Sequence, residues 1–111
     1  MADNKYFCLS EEVEEISPSE GLTRKVLSYS KDLMVCELHF DKGASAAPHK
    51  HVHEQISYVV SGVFEATVGD EKSILKVGDT VYDPSNVIHG IVCLEEGILL
   101  DIFTPMREDF V

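Results

Sequence analysis

The sequence predicts an all-β fold, a single sandwich or barrel, on three grounds. Its apolar residues gather in short runs rich in Val, Ile, Phe and Tyr, turn residues separate those runs at close intervals, and no window carries apolar positions at helical spacing. At 111 residues with 44% hydrophobic content, the chain can bury one core and has no room for a second catalytic domain.

Residues 1–22 read as a lead-in segment: they are polar and acid-rich, and "SEEVEEISPSEGL" is broken by Pro18 and Gly21. Residues 23–111 read as the β-domain. Within it "LMVCELHF", "QISYVV", "VFEATVG", "SILKVG", "TVYD", "HGIVCL" and "ILLDIF" are the expected strands, divided by Gly43, Gly62, Gly69-Asp70, Gly78-Asp79, Asp83-Pro84 and Glu96-Gly97. Gly69-Asp70 between alternating apolar runs predicts a hairpin, and Gly62 predicts a strand leaving a turn.

Charge narrows the partners. Twenty acids against nine Lys and Arg leave a formal −11, which repels nucleic-acid phosphates and anionic lipid headgroups. An anionic small molecule would need a metal or an arginine to reverse the local field, and the only arginines are Arg24 and Arg107. No apolar run approaches the ~20 residues of a membrane span, and the start "MADNKYFCLSEEVEEI" lacks both parts of a secretory leader, so a cytoplasmic protein is expected. Cys8, Cys36 and Cys93 are odd in number, widely spaced and without a C-x-x-C, which predicts inert thiols and no disulfide framework or thiolate zinc site.

The densest chemistry lies in "HKHVHEQ", His49 to Gln55. Residues two apart on a strand point to one face with Cα atoms ~6.6 Å apart, so His49 and His51 can reach one ion. A straight strand would carry Gln55 ~20 Å from His49, too far for a shared ion with bonds of ~2 Å, so the chain must turn between them. A reversal around Val52 to Glu54 returns Gln55 to the two imidazoles and leaves His53 at the bend, less able to join. His89 in "DPSNVIHGIV" is the best further ligand; His39 reads as a strand histidine satisfied by neighbours or solvent. Taken alone, the same triplet also fits a surface cluster in a loop.

A second polar anomaly is Asp101 inside "ILLDIF". Alternation groups it with Leu99 and Phe103 and so turns it inward, where an unpaired carboxylate is costly. Two readings stand: a structural ion pair with Arg107, or a substrate-facing acid beside an arginine that clamps an anion.

The spacing Gly43, His49, His51, Gln55, Gly62 resembles the first motif of the cupin superfamily, with Gln55 at the acid position. Gly78, Pro84, Asn86, His89, Cys93 is similar to the second, with Asn86 at a glycine position and Cys93 where asparagine is usual. The resemblance implies a jelly-roll β-barrel holding one divalent transition metal ion, whether zinc, nickel, manganese, iron or copper, on His49, His51, Gln55 and His89. Neutral Gln55 in place of an acid would leave the ion at +2, a stronger Lewis acid that holds its metal less tightly.

From about Gly21 to the C-terminus, stretches such as "APHKHVHEQISYVVSG" and "DIFTPMREDF" further resemble the KdgF group of small cupins. That resemblance implies opening of 4,5-unsaturated monouronates to 4-deoxy-5-keto uronates in pectin and alginate catabolism. It assigns Asp101 and Arg107 to catalysis, and Phe103 with Arg107 to the anionic sugar. In that scheme Asp101 moves the proton, Arg107 holds the sugar carboxylate and Phe103 packs on the ring, while Glu54 and Tyr58 are either groups behind the ligands or simply solvated or structural. A non-catalytic sugar- or anion-binding cupin and a cupin dioxygenase are the alternatives; the Asp101, Phe103, Arg107 set separates them from the enzyme. Pairing of sheet edges predicts a homodimer.

Overall fold

A computed structural model describes residues 6–111; the first five residues of the lead-in lie outside it. Eight strands follow in order: β1 (Ile16–Ser19), β2 (Leu22–Tyr29), β3 (Met34–Phe40), β4 (Ser45–His49), β5 (Glu54–Val68), β6 (Glu71–Leu75), β7 (Thr80–Asp83) and β8 (His89–Thr104). Single 3-10 turns at Ser10–Glu12 and Glu108–Phe110 flank them. The ladders are all antiparallel.

The two long strands make the jelly roll. The first half of β5 pairs with β7 and its second half with β6. In β8 the first half pairs with β4 and the second with β3. Because β5 and β8 also pair with each other throughout, they bend together from one layer into the other. One layer is then β1-β2-β3-β8-β5-β7 and the facing layer β4-β8-β5-β6.

The bend explains two departures from the sequence reading. Gly62 and Glu96-Gly97 end no strand; they are the corners inside β5 and β8, where the register slips between Val59 and Phe64. Gly62 has φ +85°, and a Cβ on Gly97 would lie 2.2 Å from the Ser61 carbonyl oxygen. The two backbones thus touch at the corner, and only glycine permits it. The Gly69-Asp70 hairpin between β5 and β6 is present as expected, with Val68 opposite Glu71.

β1, β2 and β4 escaped the reading. β1 lies within the lead-in and pairs only with β2, while β4 pairs only with β8, so both are edges where Pro18 and Pro48 cost no ladder bond. β2 alternates Leu22, Arg24 and Val26 inward, and an inward arginine hides the apolar pattern.

Inward parity on β3, β5 and β8 packs Met34, Cys36, Leu38, Phe40, Val59, Phe64, Leu99 and Phe103 into one core, with Phe40 edge-on to Phe64 at 5.3 Å. The thiols are free: Cys36 and Cys93 are buried, and burial pushes the Cys36 thiol up to about 12. No helix among the described residues is long and apolar enough to cross a membrane.

Candidate metal centre and adjoining cavity

His49 closes β4 and His89 opens β8 directly opposite it, so the ladder itself places two imidazoles side by side, their ring centroids 4.6 Å apart. His51 follows after the strand. The chain between His51 and Gln55 turns as expected, held by the loop before His89: the Asn86 amide donates to the His51 carbonyl at 2.8 Å and the Ser85 hydroxyl to the Val52 carbonyl at 2.6 Å. Asn86 stands at φ +60°, the left-handed region that asparagine tolerates, which is how it serves at a glycine position. The side-chain nitrogens of His49, His51 and His89 lie within 4.8 Å of one another.

Hydrogen bonding sets the tautomer of each ring. The Nδ1 atoms of His49, His51 and His89 sit 2.7, 3.0 and 3.0 Å from the carbonyls of Ala47, His53 and Val87. A carbonyl only accepts, so each Nδ1 carries the proton and each Nε2 presents a lone pair. Burial holds the His51 imidazolium down to about 4 and also lowers His89, keeping both rings neutral.

Gln55 lies beside His51. Ser57 Oγ donates to Asp101 Oδ1 at 2.6 Å and accepts from Gln55 Nε2 at 3.1 Å. That acceptance turns the amide so that Oε1 faces His51 Nε2, 3.1 Å away. The Nε2 lone pairs of the three imidazoles therefore share one space, the amide oxygen of Gln55 lies beside that of His51, and the His89 Nε2 is buried without a hydrogen-bond partner. Such a donor set fits a cation.

The other histidines lie outside the triad, although the His53 ring is 5.3 Å from that of His51. His53 lies at the bend outside the triad, and His39 is on the outer face, 2.7 Å from Glu37. Glu54 and Tyr58 also face outward, Glu54 accepting from Tyr82, which leaves the solvated or structural reading of both. β5 alternation sends Gln55 and Ser57 in and these two out.

Asp101 is inward, as its parity required, and 8% exposed. Burial first, and then the charge of Asp83, raise its carboxyl to about 6. It has no ion pair with Arg107: its partner is Ser57, and Arg107 instead grips Asp109 through Nε at 3.0 Å and Nη2 at 2.8 Å. Arg107 remains over Phe103 and Phe110, its guanidinium carbon 5.3 and 4.2 Å from the ring centroids. Phe103 is buried and edge-on to His51 at 6.0 Å.

A cavity of about 430 Å³ joins these groups, with His49, His89, Gln55, Asp101 and Arg107 among its walls. Two further wall residues escaped the sequence reading. Asp83, at the end of β7, is buried and raised to about 6 by its burial. Arg24 reaches the cavity from β2, its guanidinium carbon 3.7 Å above Phe110 and its Nε buried without a partner. Both arginines of this acidic chain thus serve one cavity. Their scarcity was the available signal for Arg24; Asp83 looked like half of a turn dipeptide.

A two-layer jelly roll with a histidine-lined interior defines a metal-binding class of β-barrel, and the cupin-domain family model matches residues 36–103. The chain belongs to the cupin family. It is 49% identical over 94 residues to the pectin degradation protein KdgF of Dickeya dadantii (strain 3937), covering 83% of this chain and 86% of that one. A solved structure of KdgF from Halomonas sp. superposes with TM-score 0.91 at 36% identity, over 97% of this chain and 100% of that one. An RmlC-like cupin from Shewanella frigidimarina NCIMB 400 superposes with TM-score 0.93 at 42% identity, over 97% of both chains.

Proposed function

We propose that the protein is a metal-dependent enzyme of pectin and alginate catabolism that opens 4,5-unsaturated monouronates to 4-deoxy-5-keto uronates. The observation that carries this reading is the convergence of His49, His51, His89 and Gln55 beside buried Asp101, in a cavity walled by both arginines. Similarity to KdgF proteins along most of the chain supports it.

The substrate's C4=C5 enol ether is joined through the ring oxygen to the C1 hemiacetal. Loss of the C1 hydroxyl proton breaks the C1–O bond to give an aldehyde, the ring oxygen leaves as an enolate, and protonation at C4 yields the ketone. A carboxylate near 6 is ionised at neutral pH yet close enough to that pH to return a proton, so Asp101 takes the C1 proton and delivers one to C4. Ser57 holds the Asp101 carboxylate in place. Arg107, with Arg24, offers positive charge to the sugar carboxylate, and Phe103 walls the cavity beneath the ring. His49, His51 and His89, with Gln55 beside them, would hold a divalent ion, which when bound would supply positive charge to substrate oxygens. Zinc, nickel, manganese, iron and copper all suit these ligands.

The test is incubation of the purified protein with a 4,5-unsaturated monouronate, following loss of the enol-acid absorbance in the far ultraviolet. Ring opening without oxygen uptake is expected. Binding without turnover would favour a sugar-binding cupin, and oxygen consumption a dioxygenase; either result sinks the proposal.

The free thiols Cys36 and Cys93 support a cytoplasmic location, and the charge of −11 argues against nucleic-acid or membrane partners. The protein is further read as a homodimer through the outer face of the β3-β8-β5-β7 layer. There Ile102 lies between Val35 and Ile56, and Ile56 beside Tyr82, leaving Ile56, Tyr58, Tyr82 and Ile102 exposed together.

A further inference from the structure

Asp83 and Gln55 are directly opposed residues of β7 and β5, and both side chains point inward. Asp83 is 4% exposed and His89 4%. Asp83 Oδ2 lies 3.8 Å from His89 Nε2. The proton of His89 is on Nδ1, donated to the Val87 carbonyl, so Nε2 faces the carboxylate with a lone pair. Among the described residues, no protein donor reaches His89 Nε2.

Two buried acceptors face each other here across 3.8 Å. Burying a carboxylate is costly, and a countercharge beside it relieves that cost. The lone pairs of His49 and His51 turn to the same place, which makes the countercharge a cation shared by the cluster rather than a proton on one ring.

We propose that Asp83 is an anionic ligand of the metal centre, supplying from β7 the negative charge that Gln55 does not supply from β5. The inference rests on reading the histidine cluster as a metal site and goes beyond it. With three neutral imidazoles, one amide oxygen and one carboxylate, the charge on a bound dication falls from +2 to +1. The weakening of metal binding expected from glutamine is offset by its cross-strand neighbour. The acid has in effect moved one strand along the sheet, which a linear motif does not register.

The test uses zinc as the probe. Protein stripped with a chelator is titrated with Zn²⁺ in competition with a chromophoric chelator, comparing wild type, Asp83→Asn, His89→Ala and the double variant Gln55→Glu/Asp83→Asn. Wild type takes up one zinc and His89→Ala loses it. Asp83→Asn binds about 10–100-fold more weakly, and Gln55→Glu in that background restores at least about tenfold of the loss. Asp83→Asn retaining wild-type affinity while His89→Ala does not bind overturns the role of Asp83 and leaves the metal site standing; wild type that takes up no zinc overturns both. Circular dichroism shows whether Asp83→Asn is folded. If it is not, the zinc-loaded minus zinc-free infrared difference spectrum of wild type decides: a displaced carboxylate stretch is expected, and its absence refutes the assignment.

Discussion

Replacing Asp101 by Asn should stabilise the metal-free protein at neutral pH while abolishing ring opening. The carboxyl is buried and rises from 3.8 to about 6. Holding it ionised in the fold therefore costs about 3 kcal/mol once the pH exceeds both values. The sign follows from proton binding: between about 4 and 6 the folded carboxyl keeps a proton that the unfolded chain has released. The contribution of this group to wild-type stability thus falls as pH rises through that window and levels off above it. Asparagine has no charge to desolvate, and its amide oxygen can still accept from Ser57. Urea denaturation of chelator-treated wild type and Asp101→Asn should show nearly equal stability at pH 4, and an advantage approaching about 3 kcal/mol for the variant at pH 8. Asp83 is present in both proteins, but its charge opposes only the wild-type carboxylate, so that repulsion is part of the variant's advantage. A variant no more stable than wild type at pH 8 would refute the reading of Asp101 as a destabilised buried acid; turnover at the wild-type rate would remove it from the proton path. Metal content should be unchanged, because Asp101 reaches the ligands only through Ser57.

Ser57→Ala should move the acid limb of kcat/KM upward by about 1–2 pH units, since the lost hydrogen bond to a charged group is worth about 1.5–3 kcal/mol and at present lowers the Asp101 carboxyl. A purely structural role would reduce the rate and leave the limb where it is. Arg24→Ala should raise KM about 10–100-fold, with Arg24→Lys intermediate because it keeps the charge and loses the fork; an unchanged KM for both would exclude Arg24 from substrate binding. Ile102→Glu, on the exposed outer face, should convert a dimer to a monomer in sedimentation velocity with melting little altered, and identical sedimentation of the two proteins would move the interface elsewhere.

The parts legible in the sequence were those governed by parity within one strand or by spacing within one turn. Alternation turned Leu99, Asp101 and Phe103 inward together, and the buried side chains are those three. The short reach from His49 to Gln55 required a reversal, and the chain reverses there. By contrast, Gly62 and Gly97 looked like strand ends because a glycine at a corner and a glycine at a turn leave the same local mark; pairing along both long strands tells them apart.

By its own text the chain determined that it is β-structured, that its interior offers imidazole, amide and carboxylate groups, and that it has only two guanidinium groups to hold an anion. Tertiary structure alone decided which of these meet. Arg24 reaches the cavity across the sheet from β2, Ser57 joins Gln55 to Asp101, and Asp83 stands opposite Gln55 beside His89. The reason is physical: side-chain direction is a local property with a period of two, whereas the neighbour across a ladder is set by register, and register is chosen by the packing of the whole barrel.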